Sequence, residues 1–184
     1  MLQIIRELDI WFYALNIWKA ITIVLAVIVV WAALATVLSV RWPRQWRIIN
    51  FAVFLLAVAV IFYATLFRTE IGRNLILQPF NTIVRAQKNR EAYREALMNM
   101  ILFIPIGLTL PNILPYQMKT GKRIAITLLI SALFSITLES CQYIFFRGTT
   151  ETDDVITNSI GALFGMTHLS IVSLLGKVRL IKKE

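Results

Sequence analysis

The sequence predicts an all-α fold, a polytopic transmembrane bundle of about five helices in which the third is short and interrupted by proline and glycine. The chain has 184 residues, of which 58% are hydrophobic. Only 16% are charged, against about 25% in a typical soluble domain. The charged residues lie between long apolar runs. Membrane-flanking loops therefore account for the net charge of +9, and we expect no nucleic-acid partner.

Four apolar runs are long enough to cross a bilayer, which takes about 20 residues. They cover residues 20–40, 48–67, 124–146 and 155–175. The fifth candidate, residues 98–114, is shorter and contains Pro105, Gly107 and Pro111. This segment crosses the membrane with a kink or forms a re-entrant hairpin, and the sequence leaves both alternatives open. We treat residues 1–184 as a single membrane domain.

The polar segments complete the expected topology. Residues 1–19 are rich in Trp and Tyr, which favour the headgroup level, so we expect an interfacial segment before the first span. In residues 69–97 we expect a loop followed by a helix over 82–97. Five spans place the termini on opposite sides of the membrane. Because the loop 147–154 is acidic and the tail basic, we expect a cytoplasmic C-terminus and an outside N-terminus.

The reactive side chains exclude several kinds of site. Cys141 is the only cysteine, which excludes an intramolecular disulfide and a cysteine zinc site. His168 is the only histidine, which argues against a histidine metal cluster. We therefore predict no metal site and no cofactor.

Polar side chains inside membrane spans are costly and usually face the bundle interior. In the fourth span they recur every three or four residues, which places them on one helical face: Thr127, Ser131, Ser135, Glu139 and Gln142. In the fifth span a similar face holds Asn158, Gly161, Gly165 and His168.

The two glycines form a G-x-x-x-G pattern, which allows two helix backbones to approach closely. Because a short loop joins the fourth and fifth spans, we expect Gly161 and Gly165 to pack against Ser131 and Ser135. The same pairing brings Asn158 to the level of Glu139.

Span order alone brings many polar residues to one face of the membrane. They are Arg68, Arg73, Asn99, Glu139, Gln142, Arg147, Asp153, Asp154 and Asn158. We expect them to form a polar vestibule in which an arginine pairs with Glu139. One of the two aspartates has an alternative, purely structural role as the N-cap of the last helix. We expect only basic anchors at the opposite face.

Three stretches of the sequence resemble the VanZ-like family, which is named for a protein associated with teicoplanin resistance. Residues 99–107 match its N-x-x-x-F-x-P-x-G pattern, and residues 139–142 match its E-x-x-Q. Residues 153–165 match its D-D-V-x-x-N-x-x-G-x-x-x-G. A weaker fourth similarity covers residues 74–80, and the whole resemblance covers about residues 65–167.

The resemblance implies a small polytopic protein of the bacterial cytoplasmic membrane, with a role in the response to teicoplanin-type antibiotics and no defined reaction. Matched positions give the candidate ligand-binding residues Asn99, Glu139, Gln142, Asp153, Asp154 and Asn158, to which the vestibule argument adds Arg147. Pro105, Gly107, Gly161 and Gly165 are interpreted as helix-packing residues.

Three functions remain open at this point. The first is a non-enzymatic binder of membrane lipids, a lipid-linked envelope precursor or a lipoglycopeptide. The second is an intramembrane enzyme with Glu139 as general acid or base, in which Asp153 and Asp154 hold a divalent cation. The third is a transporter or a subunit of a homo-oligomer or larger membrane complex.

Overall fold

The computed structural model describes residues 17–66, 72–86, 89–115 and 117–181. Its elements in these ranges are α1 Ile17–Arg41, α2 Pro43–Leu66, β1 Gly72–Ile76, α3 Asn81–Ala86, α4 Arg90–Ile113, α5 Thr120–Ile144, β2 Arg147–Glu151 and α6 Thr152–Ile181. All of the helices except α3 are long and apolar enough to cross a membrane. This confirms the prediction of an all-α polytopic bundle with five spans. Residues 1–16 of the interfacial segment expected before the first span lie outside the described residues.

The third spanning helix, α4, is longer than the sequence predicts. It runs for 24 residues, or about 36 Å at 1.5 Å per residue. The Asn89 side chain caps its start by accepting the backbone N–H of Glu91 at 2.9 Å. Pro105 and Pro111 lie inside the helix and the chain does not reverse there, so the re-entrant hairpin is wrong. The helix expected over residues 82–97 is divided between α3 and the first turns of α4.

Helices α4 and α6 run parallel, and glycines bring their backbones into contact. A Cβ atom on Gly161 would overlap the carbonyl oxygen of Met100, and one on Gly165 would overlap that of Ile104. Both pairs advance in the same direction along the two helices, which defines the parallel arrangement. Glycine is required at these crossings because any side chain would push the backbones apart.

The partner of the glycine face therefore differs from the one that the sequence predicts. We expected Gly161 and Gly165 to pack on Ser131 and Ser135 of α5, but they pack on α4. The physical reason is that α4 contributes a glycine of its own, since a Cβ atom on Gly107 would overlap the backbone of Ala162. Two small surfaces meet there and allow a closer approach than the serine face of α5.

Apolar packing surrounds α4 on two sides. One buried cluster consists of Ile61, Phe103, Ile106, Leu110 and Leu138, and a second consists of Ile28, Ile104 and Leu108. Many large apolar side chains of α1 and α2 are exposed, including Leu25, Val30 and Leu56. An exposed apolar surface of this kind suits helices that face lipid. Helix α4 is therefore central, whereas α1 and α2 are peripheral.

Two short strands that the sequence analysis does not predict connect distant parts of the chain. β1 and β2 pair in parallel, with Gly72 opposite Arg147 and Ile76 opposite Glu151. β1 follows α2 and β2 follows α5, so the sheet lies at the end of the bundle where both helices finish. α4 and α6 begin at this same end, which we call the vestibule end.

Candidate functional site

Four buried carboxylates gather at the vestibule end and form what we call the carboxylate cluster. Its members are Glu139, Glu151, Asp153 and Asp154, and each is at most 6% exposed. Glu139 comes from the last turns of α5 and Glu151 from the end of β2, while the two aspartates lie in the first turn of α6. Buried carboxylates require hydrogen bonds or cations, so their partners define what the cluster can do.

Asp153 anchors the short helix α3. Its Oδ1 atom accepts the backbone N–H of Phe80 at 2.6 Å, and its Oδ2 atom accepts that of Thr82 at 2.5 Å. Phe80 has a positive φ of 65°, the conformation in which the chain enters α3. The sequence suggests that one of the two aspartates caps α6, the helix in which both lie. In the structure Asp153 instead accepts backbone N–H groups at the start of α3. Both of its oxygens are engaged by donors of the protein.

Glu151 links α3 to the strands and to Glu139. Its Oε2 atom lies 2.5 Å from an Arg85 guanidinium nitrogen and accepts the Thr82 hydroxyl at 2.8 Å. Its backbone N–H donates to Oε2 of Glu139 at 3.1 Å. The hydroxyl of Thr150 donates to the Glu139 carbonyl oxygen at 3.2 Å. Glu139 is thus fixed to the end of β2 by both its side chain and its backbone.

Thr82, Arg85 and Glu151 belong to the site although the sequence does not predict them there. Glu151 contributed only to the charge of the loop 147–154, and the helix expected over 82–97 hid the separate helix α3. A charged pair that depends on a β-sheet between distant segments leaves no local pattern in the sequence. The acidic loop 147–154 is the only sign of Glu151 in the sequence, and it predicts only the orientation of the chain in the membrane.

Two of the arginines expected in the vestibule lie in the strands at this end, and the third lies outside the described residues. The guanidinium carbon of Arg73 lies 3.9 Å from the ring centroid of Tyr143 and 5.1 Å from that of Phe146, which is a cation–π arrangement. Arg147 is half-buried at the start of β2. Arg68 lies outside the described residues.

Three buried amide side chains at the same end have polar atoms without a hydrogen-bond partner in the described part of the chain. These atoms are Asn99 Nδ2, Gln142 Oε1 and Asn158 Oδ1. Each residue is at least nine-tenths buried. The other polar atom of Asn158, Nδ2, donates to the Ser135 hydroxyl at 2.8 Å. Buried polar atoms of this kind are rare in native proteins, because burial without a partner is costly.

The opposite end of the bundle holds a second polar cluster, contrary to the expectation that it carries only basic anchors. The Asn112 amide nitrogen lies 3.0 Å from Asn50 Oδ1 and 3.2 Å from His168 Nε2. All three residues are buried. The guanidinium Nε of Arg123 donates to the Pro111 carbonyl at 2.9 Å. The sequence does not predict this cluster, because Asn50 and Asn112 lie in helices whose other residues are mostly apolar.

The geometry bears on the enzymatic alternative. Both oxygens of Asp153 accept backbone N–H groups, so this carboxylate already has a structural role in holding the start of α3. Among the described residues, no three His, Cys, Asp or Glu side chains form a metal-binding group. The hydroxyl of Ser140, beside Glu139, is exposed and donates to the Ile136 carbonyl of its own helix at 2.8 Å. The absence of a metal and of a cofactor stays a prediction.

These features define a small multi-pass membrane protein with buried carboxyl and amide groups collected at one end. The VanZ/LLP1 family model matches residues 23–173, and the chain belongs to this family. The match includes α1 and α2, so the family likeness extends beyond residues 65–167.

One curated relative is Protein VanZ from Enterococcus faecium. It is 37% identical to this chain over 94 residues, which is 51% of the chain and 51% of that protein. The match thus spans about half the length of the curated relative. No solved structure matches this chain.

Proposed function

We propose that this protein raises the tolerance of a bacterium to teicoplanin-type glycopeptides by binding a lipid or amphiphile headgroup at the vestibule end. The family and the relative named Protein VanZ support the link to teicoplanin. The proposal includes an orientation in the cytoplasmic membrane, with the vestibule end outside and the C-terminus in the cytoplasm. That orientation places the vestibule end at the outer leaflet, where a lipid-linked envelope precursor or a lipoglycopeptide is found.

The observation that carries the proposal is the set of unpartnered amide atoms of Asn99, Gln142 and Asn158 beside the carboxylate cluster. One is a hydrogen-bond donor and two are acceptors, so a ligand with hydroxyl or amide groups matches them. The cluster carboxylates already bind protein groups. They hold α3 and β2 around the amides and have a supporting role in this proposal.

A binder is favoured over an enzyme on the same geometry. Glu139 is engaged by the backbone of β2, and Ser140 bonds its own helix. A general base needs a reacting group within hydrogen-bond reach, and the neighbouring Ser140 hydroxyl donates to the Ile136 carbonyl and not to Glu139.

The test compares variants that remove an unpartnered atom with variants that leave the site unchanged. Asn99→Leu and Gln142→Met keep the side-chain size and remove no hydrogen bond within the described residues. Ser140→Ala, on an exposed face of α5, is the matched control. Each protein is expressed in a susceptible bacterium at equal membrane abundance, and teicoplanin and vancomycin susceptibilities are measured.

We expect the wild type and Ser140→Ala to raise teicoplanin tolerance, and Asn99→Leu and Gln142→Met to lose at least half of that gain. Equal tolerance in all four strains would contradict the binding site. No gain from the wild type would contradict the link to teicoplanin. A chemically changed envelope lipid in the wild-type strain would instead favour the enzymatic alternative, and a fixed co-purifying partner would favour the subunit.

A further inference from the structure

The buried face of α5 carries polar groups through most of the bundle. Its members are Thr127, Ser131, Ser135, Glu139 and Gln142, each at most 6% exposed. At 1.5 Å per residue, Thr127 and Gln142 are about 22 Å apart along the helix. The hydrocarbon core of a membrane is about 30 Å thick. We call this set the α5 polar face.

Hydroxyl groups in membrane helices usually bond a carbonyl oxygen one turn earlier in their own helix. Several hydroxyls of this protein do so at 2.7–2.8 Å: those of Thr109, Ser131, Thr137, Ser140 and Ser159. Thr127 does not, because its Oγ1 atom has no partner in the described part of the chain although the residue is fully buried. Helix packing alone does not account for a hydroxyl left in this state.

The α5 polar face reaches the depth of the second polar cluster. The hydrogen bond between Asn158 and Ser135 sets the register of the antiparallel helices α5 and α6. From that point His168 lies about 15 Å further along α6, and Thr127 lies about 12 Å along α5 in the same direction. The two residues are thus at nearly the same depth.

His168 has a ring nitrogen that is suited to exchange a proton. Its Nδ1 atom lies 2.8 Å from the Gly165 carbonyl oxygen, which only accepts, so Nδ1 carries a hydrogen and the neutral ring leaves Nε2 as an acceptor. Asn112 Nδ2 faces this atom at 3.2 Å, but it also faces Leu108 O at 2.8 Å and Asn50 Oδ1 at 3.0 Å. Two amide hydrogens cannot serve three acceptors at once, and Nε2 is the most distant.

We propose that the α5 polar face, together with water, forms a hydrogen-bonded path along which protons cross the bundle between Glu139 and His168. The unpartnered atoms of Asn158 and Thr127 lie between the depths of Glu139 and His168, and that of Gln142 lies about one turn outside Glu139, at the entrance to the path. Internal water in proteins bonds polar groups that lack other partners, where there is room for it, so in this proposal water at these atoms completes the path. This path shares Gln142 and Asn158 with the proposed headgroup site, whereas Thr127 and His168 belong to the path alone.

The transfer step is balanced. Each hydroxyl or water oxygen accepts one proton and releases another, and it then rotates back to its starting orientation. A proton that enters at Glu139 is matched by one that leaves past His168, and no other reactant is consumed. The pH difference or the membrane potential sets the direction of the flow.

Thr127→Val is the decisive variant, because valine has the shape of threonine without its hydroxyl. The removed atom binds nothing in the described protein, so the fold should tolerate the change. Thr127→Ser keeps a hydroxyl at the same place. Thr137→Val is the matched control, since Thr137 is exposed, lies outside the α5 polar face and bonds the Leu133 carbonyl.

Purified protein is placed in vesicles of phosphatidylethanolamine and phosphatidylglycerol that contain a pH-sensitive dye. A potassium gradient with valinomycin sets an inside-negative potential, and the rate of internal acidification is measured. We expect wild type, Thr127→Ser and Thr137→Val to acidify the vesicles faster than protein-free vesicles do. Thr127→Val should lower the protein-dependent rate by about tenfold, the rate equivalent of one hydrogen bond in the barrier.

A wild-type rate equal to that of protein-free vesicles would overturn the proposal. A Thr127→Val rate equal to that of the wild type would overturn it as well, because the path would not pass that hydroxyl. Should Thr127→Val fail to reach the membrane, Gln142→Met tests the other end of the same path, and an unchanged rate there is equally contradictory. Teicoplanin susceptibility measured in parallel keeps a failure of this path distinct from a failure of the proposed binding site.

Discussion

Single glycines set the distance between the two parallel helices of the bundle. At Gly161 the backbone of α6 lies directly against the Met100 carbonyl of α4, with no room for a methyl group. At Gly121, in the first turns of α5, a methyl group would meet nothing within 4 Å. The same residue type therefore has opposite effects at the two positions. Glycine permits contact at one and costs only conformational entropy at the other.

Replacing Gly161 with alanine should destabilise the fold by about 2 kcal/mol or more, as expected for an overpacked contact between rigid backbones. Gly121→Ala should leave stability unchanged or raise it by about 0.5–1 kcal/mol, because alanine favours the helix. Unfolding of the purified proteins by increasing fractions of a denaturing detergent measures both. Equal stability of Gly161→Ala and wild type would contradict the contact between α4 and α6.

Among the elements, α3 depends most on its surroundings. It is only six residues long, and isolated helices shorter than about 12 residues are marginal in water. Asp153 accepts the backbone N–H of Thr82 and that of Phe80 just before the helix, and the Arg85 side chain pairs with Glu151. The helix therefore exists because α6 and β2 hold it.

Asp153→Asn should release α3, since an amide has a single acceptor oxygen and turns a donor toward backbone N–H groups. Hydrogen bonds to a charged group contribute about 1.5–3 kcal/mol, so trypsin should cut after Arg85 at least about tenfold faster than in the wild type. Mass spectrometry of the fragments over time measures the rate. Glu91→Gln, an exposed change in the first turn of α4, should leave it unaltered. An unchanged rate in Asp153→Asn would show that the carboxylate is not needed to hold α3.

The elements differ in how far the sequence could predict them. Long apolar runs predict the spanning helices because the membrane requires about 20 apolar residues in each. The same criterion predicts too short an α4, because the first turns of this helix are polar. It also gives no sign that the polar segment from Thr82 to Leu97 is divided between two helices. The strands escape prediction because Thr149 and Thr150 are too few to form a periodic pattern, and because the partner strand lies far away in the sequence.

The site shows the same limit. Span order could predict that Glu139, Asp153 and Asn158 lie at one end, because successive spans alternate in direction. It could not predict that Arg85 is a partner of the cluster, since that contact requires α3 and both strands to be in place. Nor could hydropathy predict that Asn50 and His168 both contact Asn112 in the interior, because the three residues lie in three different spans.

For the whole molecule, the asymmetry of the bundle has a consequence for topology. Carboxylates collect at the vestibule end, whereas Arg41, Arg44 and Arg47 lie at the opposite end, where α1 meets α2. Basic residues next to spans are retained in the cytoplasm. The vestibule end also carries basic residues, namely Arg73, Arg85, Arg94 and Arg147. The outward orientation of this end therefore stays a prediction, and it is the one required for binding in the outer leaflet.

Cysteine labelling in whole cells tests this orientation directly. In a Cys141→Ala background, Gln78→Cys places a thiol at the vestibule end and Gln117→Cys places one in the loop between α4 and α5, both at exposed positions. A membrane-impermeant maleimide should label Gln78→Cys in intact cells and Gln117→Cys only after permeabilisation. The cysteine-free background should remain unlabelled in both conditions. The reverse pattern would place the carboxylate and amide groups in the cytoplasm, where they could not bind an amphiphile from outside, so the topology decides which ligands the site can reach.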